Sequence, residues 1–142
     1  MAIIRINPTS IYDGSATGMS QATIDSDTGL IFISGQVDWD TDFQTNKHDM
    51  ATQTTNAAKH LISVLEEANS SVENILQLRV YVRGEVADHM QAIVPIIAST
   101  LGVSRPALTG IGVASLATPE TLIEIEAVAK VAKVAKQGNQ GV

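Results

Sequence analysis

RPALTGIGVASLATPETLIEIEA, running from Arg105 to Ala127, reads as two β-strands joined by a loop. Successive side chains on a strand point to opposite faces. Over 107–113 this sets Leu108, Gly110 and Gly112 on one face and Thr109, Ile111 and Val113 on the other. Over 121–131 it sets Ile123, Ile125 and Ala127 against Glu124 and Glu126. Two glycines on one face leave a bare shelf, where a ligand or another backbone comes close; a bulge or tight strand packing leaves the same pattern. Two carboxylates two positions apart stand about 7 Å from each other. That spacing serves paired acid–base carboxylates, and it also fits a solvated strand face.

Working back toward the N-terminus, alternation predicts a strand from Leu76 to Arg83. Leu76, Leu78, Val80 and Val82 face one way, Gln77, Arg79, Tyr81 and Arg83 the other, and Gly84 ends it. Between these strands a helix is expected from about Ala87 to Leu101, with Pro95 inside it removing one backbone donor and Gly102 as its C-cap. An earlier helix is expected from about His48 to Ala68, with Ala57, Ala58, Leu61, Ile62 and Leu65 forming an apolar stripe. Residues 18–37 read as two strands meeting at a turn around Asp27-Thr28-Gly29. Leu30-Ile31-Phe32-Ile33 is apolar without alternation, which predicts cover on both faces. The order is β-β-β-α-β-α-β-β. Two helices cover one face of a sheet of about six strands, so the other face calls for a second copy of the chain.

Composition sets the outer limits. The chain has 142 residues, 44% hydrophobic and 17% charged, which suits one globular domain over 1–133. No run of about 18 apolar residues occurs, and the apolar run at Ile3-Ile4 is short of the roughly 7–15 that a signal peptide needs. A cytoplasmic protein with no membrane partner is expected. The absence of cysteine excludes disulfides, thiolate catalysis and zinc–sulfur sites. A net charge of -6 with only nine basic residues and 4% aromatics argues against a nucleic-acid surface.

Few motifs of other chemistries are present. His48, His60 and His89 lack metal-ligand spacing, so no metal or other cofactor is expected. No phosphate-binding glycine loop and no Gly-x-Ser-x-Gly elbow occurs. The Val-Ala-Lys triplets from Val128 to Lys136 either extend the last strand or fray, and residues 134–142 are expected to form a flexible tail.

Ile33-Ser34-Gly35-Gln36-Val37, Gln53-Thr54, Leu61 to Ala68, Val80-Tyr81-Val82 and Ile123-Glu124-Ile125-Glu126-Ala127 occur here in one order. In that order and spacing the chain resembles the Rid (YjgF-type, reactive intermediate deaminase) family, over about Met19 to Ala129. The resemblance implies an α+β, YjgF/chorismate mutase-like fold. That fold has a mixed sheet backed by two helices and is trimeric, with small-molecule clefts between subunits. It also implies cleft roles for Ser34 and Gly35, and a catalytic role for Glu124, which would position water or protonate the substrate. The family pattern usually continues Pro-Ala-Arg, whereas here Pro106-Ala107 is followed by Leu108, so the arginine that holds a substrate carboxylate is missing. Met19 stands where the family often has an aromatic, and Ile93 where it has an asparagine. With Leu108 and Gly110 these line an apolar cleft whose main charge is Glu124.

Two functions from different classes follow. One is a Rid-type hydrolase acting on an imine, enamine or related metabolite other than a 2-imino acid. The other is a non-catalytic protein that binds or senses a small ligand. In both the ligand is expected to be neutral or cationic. Ribonuclease activity, sometimes attached to this family, is disfavoured by the charge balance. Arg79, Arg83 and Arg105 are the basic residues that a neighbouring subunit could bring into the cleft.

Overall fold

Short-range capping sets the element boundaries. Asp25 accepts hydrogen bonds from Thr28 Oγ1 (2.9 Å) and from the Asp27 amide (3.1 Å), and Gly29 takes φ +76°, closing the turn expected at 27–29. Asp49 caps the first helix by accepting from the Thr52 amide at 2.8 Å. The computed structural model describes residues 2–45 and 49–132. Its strands are β1 (Ile3–Ile6), β2 (Ala22–Asp25), β3 (Leu30–Gln36), β4 (Ile75–Arg83), β5 (Ala107–Val113) and β6 (Ile123–Lys130). Its helices are α1 (Met50–Glu67) and α2 (Met90–Leu101). His48 and the tail expected at 134–142 lie outside the described residues.

One mixed sheet runs in the order β1-β2-β3-β6-β4-β5. Only β4 and β5 are parallel, because α2 carries the chain back across the sheet between them. Pro95 lies inside α2, and Gly102 caps it with φ +58° and its amide on the Ala98 carbonyl. The helix begins three residues later than expected, since Val86–His89 winds as a 3-10 turn first.

Both helices cover one face. Ile31, Ile33, Leu78, Val80, Val82, Ile123, Ile125, Ala127 and Ala129 are buried there with Ala57, Leu61, Val64 and Leu65 of α1. Val64 is fully buried, whereas Ile62, expected in the stripe, is half-buried. Leu76 is a second correction: it is 46% exposed, and Ile75 takes its place in the core. The pairing of β4 with β6 slips between Ile75 and Gln77, and such a bulge flips the alternation of everything before it. The second face carries Phe32, Arg79, Tyr81, Glu124 and Glu126, and no helix of the described residues covers it; Phe32 is 49% exposed. Among the described residues no helix is long and apolar enough to cross a membrane.

Candidate functional site

The β4–β6 ladder sets Tyr81 opposite Glu124 and Arg79 opposite Glu126 on the uncovered face. Glu126 accepts a hydrogen bond from the Tyr81 hydroxyl. That bond is the first cause of the raised Tyr81 pKa. Glu124 is half-buried, and its carboxylate lies directly on Gly35 of β3, where any β-carbon would occupy the same space. Gly35 is therefore needed for close approach rather than for a turn. Burial first, and the charge of Glu126 second, push the Glu124 pKa above the usual carboxylate value. Neighbouring Ser34 is already engaged, its hydroxyl donating to the Ser20 carbonyl at 2.7 Å and its amide to the Gln21 carbonyl at 2.9 Å. Ser34 also lines a shallow depression with Ser20, Phe32 and Glu126.

Met19 reaches this end of the molecule from the loop between β1 and β2. Its side chain lies over Gly14, and its sulfur accepts from the Tyr12 hydroxyl at 3.8 Å. Behind them is a buried relay of amides: Gln21 Nε2 donates to the Tyr12 carbonyl (3.0 Å), and Gln36 Nε2 donates to Gln21 Oε1 (2.9 Å) and to the Ser34 carbonyl (3.1 Å). The loop that feeds β6 is fixed as firmly. Arg83 donates to the carbonyls of Thr121 (3.0 Å), Thr118 (2.6 Å) and Ala114 (3.4 Å). Gln53 of α1 donates to the Glu120 carbonyl (2.8 Å) and accepts from the Leu122 amide (2.9 Å). Arg83 thus holds the loop before Glu124, and all three of its donor groups are used within the fold.

The other expected site residues lie elsewhere. The parallel register pairs Leu78 with Leu108 and Val80 with Gly110, so these β5 residues stand on the helix-covered side of the sheet. With Ile93, Val94 and Ile97 of α2 they line a groove of about 580 Å³. Ile93 is buried, and Leu108 is 49% exposed. Glu124 is on the opposite face. One chain therefore joins Met19, Ser34, Gly35 and Glu124 at one place, and Ile93, Leu108 and Gly110 at another, and does not join the two sets. The groove also holds one of the three arginines named above: Arg105, its one charged lining residue, whose φ of +47° is unusual for a side-chain-bearing residue. It lies three positions before Leu108, about 10 Å along an extended chain, at the groove's end. Tyr12, Gln21 and Gln36 were missed, since single loop residues and in-facing glutamines carry no periodic signal.

Comparison with known proteins follows the same outline. A RutC family protein of Pyrococcus abyssi is 28% identical over 101 residues, which are 70% of this chain and 77% of that protein. The Rid-family protein YyfB of Yersinia pestis is 34% identical with a TM-score of 0.67, covering 92% of this chain and 100% of its own. A YjgF-family protein of Mycobacterium tuberculosis is 25% identical with a TM-score of 0.76, over 92% and 100% of the two chains. The yeast protein YEO7 superposes with a TM-score of 0.82 over the same shares; at 22% identity it speaks for the fold alone. Residues 14–131 match the endoribonuclease L-PSP family, a span that takes in β2 to β6 and both helices. The chain belongs to that family, the Rid or YjgF proteins.

Proposed function

We propose that the protein is a homotrimer whose subunit interfaces form small-molecule clefts, in which it hydrolyses neutral or amine-bearing imines or enamines rather than 2-imino acids. The observation that carries this reading is Glu124: a half-buried carboxyl on a bare glycine, its pKa raised, beside a second carboxylate. A second copy is needed to complete the cleft, because Leu108 and Gly110 lie on the far side of the sheet from Glu124. The edge strand β5 is exposed along most of its length and offers unpaired backbone to such a neighbour.

A carboxyl whose pKa is raised by burial holds its proton to higher pH and can give it to an imine nitrogen. Water then adds to the carbon of the C=N bond and returns a proton to Glu124. Glu124 protonates the nitrogen of the resulting carbinolamine, ammonia leaves, and the hydroxyl proton returns to the carboxylate as the carbonyl forms. A carboxylate on the ligand would meet a neutral acid or a like charge. On the uncovered face Arg83 is committed to three carbonyls, and Arg79 stands opposite Glu126. Of the three arginines weighed for the cleft, Arg105, at the groove's end, remains.

The test is a set of three one-ring probes, benzylamine, benzamide and benzoate, titrated calorimetrically against the native protein and Glu124→Gln, with light scattering to count subunits. The trimer should bind the amine and the amide more tightly than benzoate, and Glu124→Gln should reduce the amine's advantage. Tighter binding of benzoate, or a 15.0 kDa monomer, refutes the reading. Ammonia release from a neutral imine separates the hydrolase from a binding protein of the same fold.

A further inference from the structure

The described part of the chain contains one buried phenol whose hydroxyl has no strong hydrogen-bond acceptor. Tyr12 is 7% exposed, and the acceptor of its hydroxyl is the Met19 thioether at 3.8 Å. Thioether sulfur is a weak acceptor, so burial leaves most of this hydroxyl's donor capacity unused. Its ring, by contrast, is firmly held. It packs on Trp39 (centroids 5.1 Å apart) and on Phe43 (5.2 Å), and Trp39 is itself anchored by Nε1 donating to Thr121 Oγ1 at 3.0 Å. Gln21 fixes the backbone behind the ring through the Tyr12 carbonyl, and Gln36 ties Gln21 to the strand that carries Gly35. Burial raises the pKa of the phenol, a hydrogen bond from the Gln21 side chain opposes the rise, and the charge of Glu124 adds to it. The three rings pack on one another, with Trp39 and Phe43 only 6.1 Å apart, so they form a wall and leave no cage for a cation between them.

We infer that Tyr12 is a ligand-binding residue of the Glu124 site, its hydroxyl donating to a carbonyl oxygen or imine nitrogen of the ligand in place of the Met19 sulfur. Met19 is suited to yield: it is unbranched and flexible, and it occupies space that Gly14 leaves open. A ligand acceptor replaces a thioether contact with a full hydrogen bond, so the gain appears only on binding. Two proton donors, the Glu124 carboxyl and the Tyr12 phenol, then face one ligand. This selects a neutral group with acceptor lone pairs, such as an imine, amide or carbonyl, over one that has only donors to offer.

This inference rests on the proposed Glu124 cleft, and the same probes test it separately. Benzamide carries an acceptor, whereas the ammonium of benzylamine carries none. Tyr12→Phe keeps the ring and removes the hydroxyl. It should weaken benzamide about five- to tenfold, leave benzylamine unchanged, and leave the melting temperature within about 2 °C of native. Met19→Leu, which removes the competing sulfur, should bind benzamide at least as tightly as the native protein. Equal benzamide affinity in Tyr12→Phe overturns the assignment. So does a parallel loss of benzylamine, or a fall of many degrees in melting temperature, since either makes the hydroxyl a structural group. If benzoate outranks the other probes while Tyr12→Phe still weakens benzamide, the charge reading fails and the role of Tyr12 stands. Absence of benzamide binding to the native protein overturns both.

Discussion

Replacing Gln53 with methionine should lower stability by about 2–4 kcal/mol, and the figure follows from what its amide holds. Gln53 is fully buried on α1 and bridges the last turn before β6, donating to the Glu120 carbonyl and accepting from the Leu122 amide. Methionine fills a similar volume, so little of the cost comes from a cavity. The Leu122 amide, only partly buried, would be left without its acceptor, at about 1–3 kcal/mol. Glu120 is exposed, so water can take over its carbonyl, and losing that bond costs about 0.5–1.5 kcal/mol. For a chain of 142 residues this corresponds to a drop of roughly 5–15 °C in melting temperature. Calorimetric scans of both proteins should be run at one concentration, because subunit association shifts the midpoint. Gln53→Ala should be worse, as a cavity is added. A methionine variant within about 0.5 kcal/mol of native would refute the argument, and with it the idea that α1 fixes the loop leading to Glu124.

The titration of Glu124 gives a second expectation with a definite sign. A carboxyl whose folded pKa is raised binds more protons folded than unfolded, so its contribution is present below the unfolded value and is lost as pH rises through the folded one. Glu124→Gln should therefore match native stability in acid and exceed it at neutral pH and above; a difference that does not change with pH would count against burial of the charge. A third expectation concerns Leu108. The native protein should release no ammonia from 2-imino acids, and Leu108→Arg, at a position 49% exposed in the groove, should gain benzoate binding. Rapid turnover of 2-aminoacrylate by the native protein would show that Arg105 or another cation already serves.

Much of the fold was legible because it is written in alternation. The pairs Glu124/Glu126 and Ile123/Ile125 fell on the faces that their spacing predicts, as did Val80 and Val82 against Arg79 and Tyr81. Leu76 failed because a bulge is a feature of strand pairing, and one strand's sequence does not show where its partner slips. Leu30 to Ile33 were expected to be covered on both faces; the chain itself buries Ile31 and Ile33 and leaves Phe32 exposed. The site was less legible than the fold. Its framework comes from Arg83, Gln53, Gln36 and Tyr12, residues whose partners lie 2 to 69 positions away and follow no period.

The separation of Leu108 from Glu124 has the same origin, and it bears on how assembly and chemistry are related. Resemblance to the family put the two in one cleft, while the register of β4 with β5 and β6 puts them on opposite faces of one sheet. Both statements hold at once only if β5 of one subunit meets β3 and β6 of the next. In the proposed trimer the exposed edge strand is then the assembly surface and also one wall of the ligand site. Gly110 and Gly112 leave that strand without bulk on its groove side, where a β-carbon at Gly112 would run into the Gly84 carbonyl at 2.5 Å. A change that thickens β5 there acts on strand packing, on subunit contact and on the shape of the cleft together. In that proposed trimer, substrate range and oligomeric state would not be independent properties.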